Sequence, residues 1–400
     1  MNVDSWLKTF RAKALLEYEL REIPGKLARG WRFTDASAFV PRGVPLDRYR
    51  PVLTAASVPP EAELLRFGEV SGETETLVRS GLENSLGPDT HKLELLSLSR
   101  WQDARILRIP AGVRIEEPVS ITLTPGDSEF TSTRLLIIAG EGSSITVFNL
   151  LSGGPPAGTP FLVNSAVEIL AGEGAAVRFA SSQELAEGGV SYLSLRVRAA
   201  SDSSVSSAIA TFGCRQAKVD LESFLEGSGA HSLLVGIAVA SGEQSHDHHV
   251  FTLHTASATR SDCDFRSVVG DRAQSTVTGL IKIRPEAKGC EAWQGNRNLM
   301  LSKEAKANSL PELEIMNNEV KCSHGSATGP VDPGQVYYLM SRGIPREEAA
   351  RLLTAGFVQP ALESVPAPLR ELIGARLAGR LETATAASAH APLDARLETA

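Results

Sequence analysis

The triplets Glu286-Ala287-Lys288, Glu304-Ala305-Lys306 and Glu319-Val320-Lys321 decide how this chain folds. They begin 18 and 15 residues apart, and each follows two apolar residues spaced two apart, as in a short strand. These apolar pairs are Ile281 and Ile283, Leu299 and Leu301, and Leu313 and Ile315. A strand-and-turn unit of about 17 residues is shorter than a helix-pair repeat and less regular than a propeller blade. The spacing predicts a solenoid with one buried strand per unit, most simply a parallel β-helix.

Short β-rich runs extend on both sides of the triplets, from Ile106 to about residue 330. The turns at 140–143, 172–175 and 200–203 consist mainly of Gly, Ser and Ala, which suit tight corners between coils stacked about 4.8 Å apart. At about 17 residues per coil, this stretch predicts roughly a dozen coils. An antiparallel sandwich is the alternative, but it does not account for the repeated triplets.

Helical patterns flank the β-rich stretch. Near the N-terminus, Trp6, Leu7, Phe10 and Ala14 fall on one helical face, and Pro24-Gly25 ends the pattern. We divide the chain into an N-terminal helical and mixed region (1–105), a parallel β-helix core (106–331), a C-terminal helical domain (332–383) and a tail (384–400) that we expect to be frayed.

The C-terminal domain carries two amphipathic patterns separated by prolines. Pro345 stands where a first helical residue is expected, and Pro360 and Pro366 are expected to interrupt the helices. The first apolar stripe contains Ala349, Leu352, Leu353, Gly356 and Phe357. The second contains Leu369, Leu372, Ile373, Leu377 and Leu381. Stripes of this spacing are typical of helices that bury one face.

Composition excludes several classes of function. The chain has 400 residues, 42% hydrophobic content and a net charge of −7, so it lacks the basic excess that non-specific nucleic-acid binding requires. The charged N-terminus does not resemble a signal peptide, and no apolar run approaches the ~20 residues of a membrane span. We therefore expect a cytoplasmic protein that contacts no membrane.

Motifs for ATP binding and hydrolysis are missing from the sequence. The only Gly-Lys pair, Gly25-Lys26, is followed by Leu27, so no P-loop is present. Neither a G-x-S-x-G elbow nor an H-E-x-x-H zinc motif occurs. Any ATP-driven step must therefore come from a partner.

Histidines and cysteines supply the candidate ligands. On a strand, His246 and His248 share one face and His249 points to the other. Imidazoles at this spacing can chelate a divalent metal, although hydrogen bonding within the coil is the simpler role and a catalytic base is a third. The four cysteines, Cys214, Cys263, Cys290 and Cys322, contain no C-x-x-C pair, which indicates buried thiols rather than a complete metal site.

A second cluster, Lys321-Cys322-Ser323-His324, lies at the end of the β-rich stretch. Cys322 and His324 point the same way if the segment is extended. If the triplets define the register, Glu291, Ser309 and His324, each three residues after its lysine, stack in one column. Thiolate and imidazole together form half of a soft-metal site, which needs further ligands from another chain. Purely structural roles are the alternative.

A third cluster holds acidic and basic residues between Asp262 and Arg272. Its simplest role is a salt-bridged outer face. A β-helix polysaccharide hydrolase or lyase would instead use these carboxylates in catalysis.

Several motifs together resemble the SufB/SufD family of iron–sulfur cluster assembly proteins. They are Asn296-Arg297-Asn298-Leu299-Met300-Leu301-Ser302, Pro311-Glu312-Leu313-Glu314-Ile315, Val320-Lys321-Cys322-Ser323-His324-Gly325 and Ser341-Arg342-Gly343-Ile344. The resemblance runs from about residue 246 to 357, and the Lys-Cys-Ser-His-Gly form resembles the SufD branch more than the SufB branch.

The resemblance implies a right-handed parallel β-helix that pairs with SufB, and C-terminal helices that dock the ATPase SufC. It implies that His324 is an interface ligand to a transient, nascent iron–sulfur cluster shared with SufB, with Cys322 as a weaker candidate. The SufC dock would include Ala349, Leu352, Leu353 and Phe357. The hypothesis is thus a non-catalytic scaffold subunit; a homo-oligomeric SufB-like scaffold and the hydrolase or lyase are the alternatives.

Overall fold

The computed structural model describes residues 3–41, 52–87, 90–125, 129–156 and 158–388. The helices are α1 (Val3–Leu20), α2 (Gly72–Asn84), α3 (Lys92–Arg100), α4 (Pro333–Ser341), α5 (Arg346–Ser364) and α6 (Ala367–Ser388). The strands are β1 (Val52–Ser57), β2 (Glu63–Arg66), β3 (Asp103–Ile109), β4 (Val119–Thr124), β5 (Phe130–Ala139), β6 (Ser144–Gly153), β7 (Phe161–Ala171), β8 (Ala176–Leu185), β9 (Gly189–Ala199), β10 (Ser204–Thr211), β11 (Gln216–Leu225), β12 (His231–Ala240), β13 (Ser245–His254), β14 (Arg260–Val269), β15 (Gln274–Ile283), β16 (Glu291–Met300), β17 (Lys306–Ile315) and β18 (Lys321–Pro330).

The strands form two sheets that face each other across the core. Sheet A has the order β1-β4-β6-β8-β10-β12-β14-β16-β18, and sheet B the order β17-β15-β13-β11-β9-β7-β5-β3-β2. Among the described strands, only β1 and β2, at the N-terminal edges, pair antiparallel. The other strands of each described sheet run parallel, which confirms the predicted β-solenoid and gives it eight coils.

The predicted length of the repeat is wrong by a factor of two. Leu221 of β11 pairs in register with Val250 of β13, 29 residues later. One coil therefore contains two strands, one in each sheet, and the strand-and-turn unit seen in the sequence is half a coil. The described strands form eight coils rather than a dozen because the chain crosses to the opposite sheet at every corner.

The three triplets lie at these corners rather than in one column. The first and third occupy the same corner of successive coils, where Lys288 Nζ lies 2.9 Å from Glu319 Oε1 and Gly289 N donates to Glu319 O. The second triplet begins after β16 and ends at Lys306, the first residue of β17, at the opposite corner. Successive triplets therefore lie at opposite corners of the coil.

The core lies between the two sheets. Val219, Leu221 and Val250 of sheet B face Val205, Ile209 and Phe265 of sheet A, and all six side chains are buried. Burying each of these side chains contributes roughly 1.5–3 kcal/mol. Apolar residues at alternate positions thus hold these coils together.

The N-terminal helices cover the outer face of sheet B. Leu7, Phe10 and Ala14 of α1 are buried, as their spacing predicts, and α3 contacts β5 and β7. Helix α1 ends at Leu20, four residues before Pro24. These elements position the segment 26–34 against the later strands of sheet B.

The C-terminal helices cover the outer face of sheet A. Leu369, Ile373, Leu377 and Leu381 of α6 are buried against this face, which confirms the second predicted stripe. Pro345 is the N-cap of α5 rather than its first residue.

Pro360 does not interrupt the first C-terminal helix, contrary to the prediction, because α5 continues through it to Ser364. The carbonyl that loses its hydrogen bond belongs to Gly356, which is exposed and can bind water instead. Pro366 does separate α5 from α6.

The predicted frayed tail lies largely outside the described residues, since α6 extends to Ser388 and the description ends there. Across the described ranges, no helix combines the length and the apolar character needed to cross a membrane.

Candidate functional site

His324 and Cys322 lie on β18, which is the last strand of sheet A. Strand β18 pairs with β16 on one side, and no described strand pairs with its other side. The N–H of Lys321 donates to Cys290 O at 2.9 Å, so Lys321 faces β16. In a parallel strand the N–H and C=O of one residue point to the same side and alternate along the chain. The backbone groups of Cys322, His324, Ser326 and Thr328 therefore point to the free edge.

Strand β17 forms the corresponding edge of sheet B. Lys306 N donates to Ala273 O at 3.0 Å, so the even-numbered residues of β17 face β15. Pro311 therefore lies on the free side, where its missing N–H disrupts no internal hydrogen bond. The solenoid thus ends in two open edges, of which that of β18 has the longer run of hydrogen-bond donors.

The side chains of Cys322 and His324 share one side of β18, as their spacing predicts. They pair in register with Ala292 and Gln294 of β16, both of which are buried in the interior. Cys322 is half-buried against Cys290 and its neighbours, and burial, followed by the effect of Cys290, raises the pKa of its thiol. His324 is exposed at the open end of the solenoid that β17 and β18 frame, which we call the mouth.

The predicted column of Glu291, Ser309 and His324 does not exist. Glu291 pairs with Lys321, and Ser309 belongs to β17 in the opposite sheet. The residues in register with His324 along sheet A are Gln294, Cys263 and Leu234. The error follows from treating half a coil as a whole coil.

Three carboxamide side chains line the interior behind His324. They were not predicted from the sequence, because carboxamides are not among the side chains that usually bind soft metals. Gln294, Asn296 and Asn298 are each at most 3% exposed. Asn296 donates to Ser309 Oγ at 2.8 Å, and Asn298 donates to Thr328 Oγ1 at 3.0 Å. A Cβ at Gly279 would lie 1.9 Å from Gln294 Nε2, so a larger residue there would displace the Gln294 carboxamide. The sequence signal was a polar residue at every second position of β16.

The imidazole and thiol at this mouth can supply nitrogen and sulfur ligands to a soft metal. Within the described ranges, no three His, Cys, Asp or Glu side chains converge as a set of metal ligands.

Comparison with known proteins assigns this chain to a family. A family model described as "SUF system FeS cluster assembly, SufBD core domain" matches residues 122–357, which is more than half of the chain. This chain belongs to the SufBD core family. The hypothesis drawn from the motifs is confirmed at that level.

Curated relatives agree with this assignment. The chain is 31% identical over 288 residues to the iron–sulfur cluster assembly protein SufD of Bacillus subtilis, with 71% of this chain and 65% of that protein covered. It is 24% identical to SufB of the same organism, with 74% and 63% covered. A SufBD family protein of Mycobacterium tuberculosis is 27% identical, with 92% of both chains covered. The chain thus spans just under two thirds of the two Bacillus relatives.

The earlier histidines of this SufBD core are buried and hydrogen-bonded. His246 Nε2 lies 3.1 Å from Gly213 O, and His248 Nε2 lies 2.9 Å from Thr211 Oγ1. Burial lowers the pKa of His246 to about 4 and that of His248 to about 3. His254 bonds to Thr259 and Ser261, and burial lowers its pKa to about 4. These rings are neutral at physiological pH and fit the hydrogen-bonding role.

His249 lies on the opposite face of β13, as the alternation of side chains predicts. Its Nδ1 is 3.6 Å from Asp220 Oδ1 on the outer face of sheet B.

The acidic cluster forms salt bridges on the outer face of sheet A. Asp262 lies 2.8 Å from Arg260, and Asp264 contacts both Arg266 and Arg297. This pairing agrees with the structural role, and the description of the matching family model names cluster assembly rather than a hydrolase or lyase.

The four residues predicted to dock an ATPase differ in exposure. Ala349 is buried, Leu353 is partly buried, and Phe357 packs towards sheet A with Arg266 over its ring. Leu352 is 42% exposed. Helix α4, which contacts α5, adds the exposed side chains of Tyr337, Tyr338 and Met340.

Proposed function

We propose that this chain is a scaffold subunit of the SUF iron–sulfur cluster assembly complex and acts with SufB and the ATPase SufC. The observation that carries the proposal is the placement of His324 and Cys322 at a mouth framed by two unpaired strand edges. A ligand pair at a free edge is completed when another chain adds to that edge. Membership of the SufBD core family supports this role.

The proposed partner at this edge is SufB, joined through the β-helix. Parallel strands added beside β17 and β18 would satisfy the outward N–H and C=O groups and continue both sheets. The regions 106–331 and 332–383 would then serve as SufB-binding core and SufC-binding domain.

The nascent cluster is the cargo of this site, held transiently and shared with SufB. His324 would donate an imidazole nitrogen to iron, and the neighbouring carboxamides would keep the mouth polar. Cys322 is the weaker ligand because its raised pKa keeps the thiol protonated, and the proton must leave before sulfur can bind iron. Additional thiolates would come from SufB.

The subunit itself is proposed to be non-catalytic. ATP hydrolysis is assigned to SufC, since this chain carries no P-loop motif. We place the complex in the cytoplasm, in agreement with four cysteines that are all free thiols.

The SufC dock is proposed on α4 and α5, around Leu352. This residue, Tyr337 and Tyr338 are exposed apolar or aromatic side chains, of the kind that anchor protein interfaces. Ala349, Leu353 and Phe357 would support this surface from within the helical domain.

The decisive experiment is anaerobic co-expression with SufB and SufC from the same organism, using wild type, His324→Ala and Ser326→Ala. Ser326 follows His324 on the same side of β18, so it is the matched control. We expect all three complexes to have equal mass, and only His324→Ala to lose iron and acid-labile sulfide.

Equal iron and sulfide in all three complexes would remove His324 from the site and leave an architectural subunit. If no complex forms with wild type, the proposal fails. A stable cluster on the isolated chain would favour the homo-oligomeric, SufB-like scaffold.

A further inference from the structure

A cleft of about 680 Å³ opens between the segment 26–32 and the outer face of sheet B. It lies on the side of the solenoid that faces away from the core, and its floor reaches β17, one of the two strands that frame the mouth. His249 of β13, Thr278 of β15 and Leu310 of β17 contribute to its floor. Lys26, Arg29 and Arg32 line its wall.

The wall is strongly basic in an otherwise acidic chain of net charge −7. Arg29 lies 3.6 Å from Glu312, and both side chains are more than half exposed. Lys26 and Arg32 are exposed, and neither has a carboxylate within salt-bridge distance in the described part of the chain. Among the described lining residues, three cations therefore face one carboxylate, which leaves a positive excess for a ligand to neutralise.

Two residues of the floor contain buried polar atoms that have no hydrogen-bond partner among the described residues. Thr278 is 9% exposed, and its buried Oγ1 has no hydrogen-bond partner among the described residues. The same is true of His249 Nε2. Leaving a buried polar group unpaired costs about 1–3 kcal/mol, so such groups require an explanation. The Thr278 hydroxyl can donate to an anion once rotation of its side chain turns it towards the cleft.

The wall is held in place by a buried ionic network, so the cleft is formed before any ligand binds. Lys218 is fully buried, donates to Gly30 O at 2.8 Å and lies 3.0 Å from Asp247 Oδ1. Its Nζ lies 5.1 Å from the centre of the Trp31 ring. The Thr34 hydroxyl donates to the other oxygen of Asp247. The basic segment is thus fixed to β11 and β13.

Gly30 brings this segment into contact with the imidazole of His249. Its φ of +76° lies in the left-handed region, and a Cβ there would come within 2.9 Å of His249 Cγ. Both the backbone conformation and the close approach require glycine.

We propose that this cleft binds a small molecule bearing a diphosphate group. Guanidinium forks match phosphate oxygens in a bidentate manner, and two linked phosphates carry enough charge to engage three cations. The volume also accommodates the remainder of a nucleotide-sized molecule. The diphosphate is the recognised chemistry, whether it comes from inorganic diphosphate or from a nucleoside diphosphate.

The test is calorimetric titration of the full chain alone, at low salt, with inorganic diphosphate, ADP, inorganic phosphate and citrate. The variants are Lys26→Ala/Arg32→Ala and Thr278→Val, and the matched control is Arg272→Ala/Lys288→Ala, which removes two exposed cations outside the cleft. We expect inorganic diphosphate and ADP to bind, and the cleft double variant to lose about tenfold in affinity. Thr278→Val is expected to lose a few fold, and the control less than about twofold.

Tighter binding of ADP than of inorganic diphosphate would identify the nucleotide as the ligand, and equal binding would identify the diphosphate group alone. The proposal is overturned if neither binds at millimolar concentration, if citrate binds as tightly as both, or if the control variant loses as much affinity as the cleft variant. Because SufB and SufC are absent from the titration, its result is independent of the proposed role in cluster assembly.

Discussion

In this chain, whether a residue occupies an odd or an even position on its strand decides which face of the sheet its side chain lies on, and that face decides its chemistry. His248 and His249 are adjacent, yet His248 is enclosed in the core beside the Phe265 ring, whereas His249 faces Asp220 on the outer surface of sheet B. The alternation of side chains predicted this separation. It could not predict the surroundings, because Thr211 and Phe265 approach His248 only after the opposite sheet has formed.

The neutral state of His248 makes stability depend on pH. In the folded protein its pKa is lowered to about 3, whereas an unfolded histidine titrates near 6.5. Its contribution is therefore fully present above pH 6.5 and is lost as the pH falls from 6.5 towards 3. We expect the free energy of unfolding to fall below pH 6.5, and His248→Gln to reduce that slope by about 1 kcal/mol per pH unit near pH 5.5. Denaturant titrations at several pH values measure both slopes, and identical slopes would contradict a neutral His248.

At the scale of the element, the two terminal strands expose different backbone edges. β17 carries Pro311 on its free side, whereas the free side of β18 carries the N–H groups of Cys322, His324, Ser326 and Thr328. Strand edges of this kind invite pairing with another chain. The edge of β18 is therefore the better place to test association with SufB.

Ser326→Pro is expected to weaken binding of SufB while leaving the pairing of β18 with β16 intact. Proline removes the outward N–H of Ser326, and the preceding Gly325 tolerates the restriction that proline imposes. Ser326→Ala keeps the N–H and is the matched control. Co-purification and circular dichroism of both variants provide the measurement. Normal recovery of SufB with Ser326→Pro would show that β18 does not pair with it.

Helix α5 offers a second test at this scale. Leu352→Glu places a charge on an exposed position of the helix, so we expect SufC to be lost while the melting temperature changes little. Leu16→Glu on α1, where the leucine is 57% exposed, is the matched control. Pull-down of SufC by each variant gives the readout. Retained binding by Leu352→Glu would move the dock away from this surface of α5.

For the molecule as a whole, the two ends of the solenoid differ. At the N-terminal end β1 and β2 add antiparallel strands to both sheets, and the helices α1 and α3 pack nearby. At the other end β17 and β18 have no described partner on their outer sides. This asymmetry directs any end-to-end association to the C-terminal mouth.

The sequence predicted the solenoid but not the number of strands in each coil. Apolar residues at alternate positions, such as Ile281 and Ile283, identified strands, because burial of one face leaves that pattern. Nothing in one strand identifies which later strand pairs with it, so the half-coil was mistaken for a coil. The same gap explains why Cys322 and His324 were placed on one side correctly while Ser309 was placed in the wrong sheet.

The cleft could not have been predicted from the sequence. Arg29 and Thr278 are almost 250 residues apart, and they meet only because Gly30 and Lys218 hold the N-terminal segment against sheet B. The spacing of residues along the sequence predicts sites whose ligands lie close together on one strand. It does not predict sites that form where distant parts of the chain meet in the folded protein.

The C-terminal helices also restrict how such a chain can change its length. Helix α6 contacts β6, β8 and β12, and α5 contacts β12 and β14, so together they bridge several coils of sheet A. A coil inserted within that stretch would displace their apolar stripe by about 4.8 Å. A coil added before β5 would leave the contacts of α5 and α6 unchanged, so the restriction that these two helices impose on coil number applies to the stretch from β6 to β14.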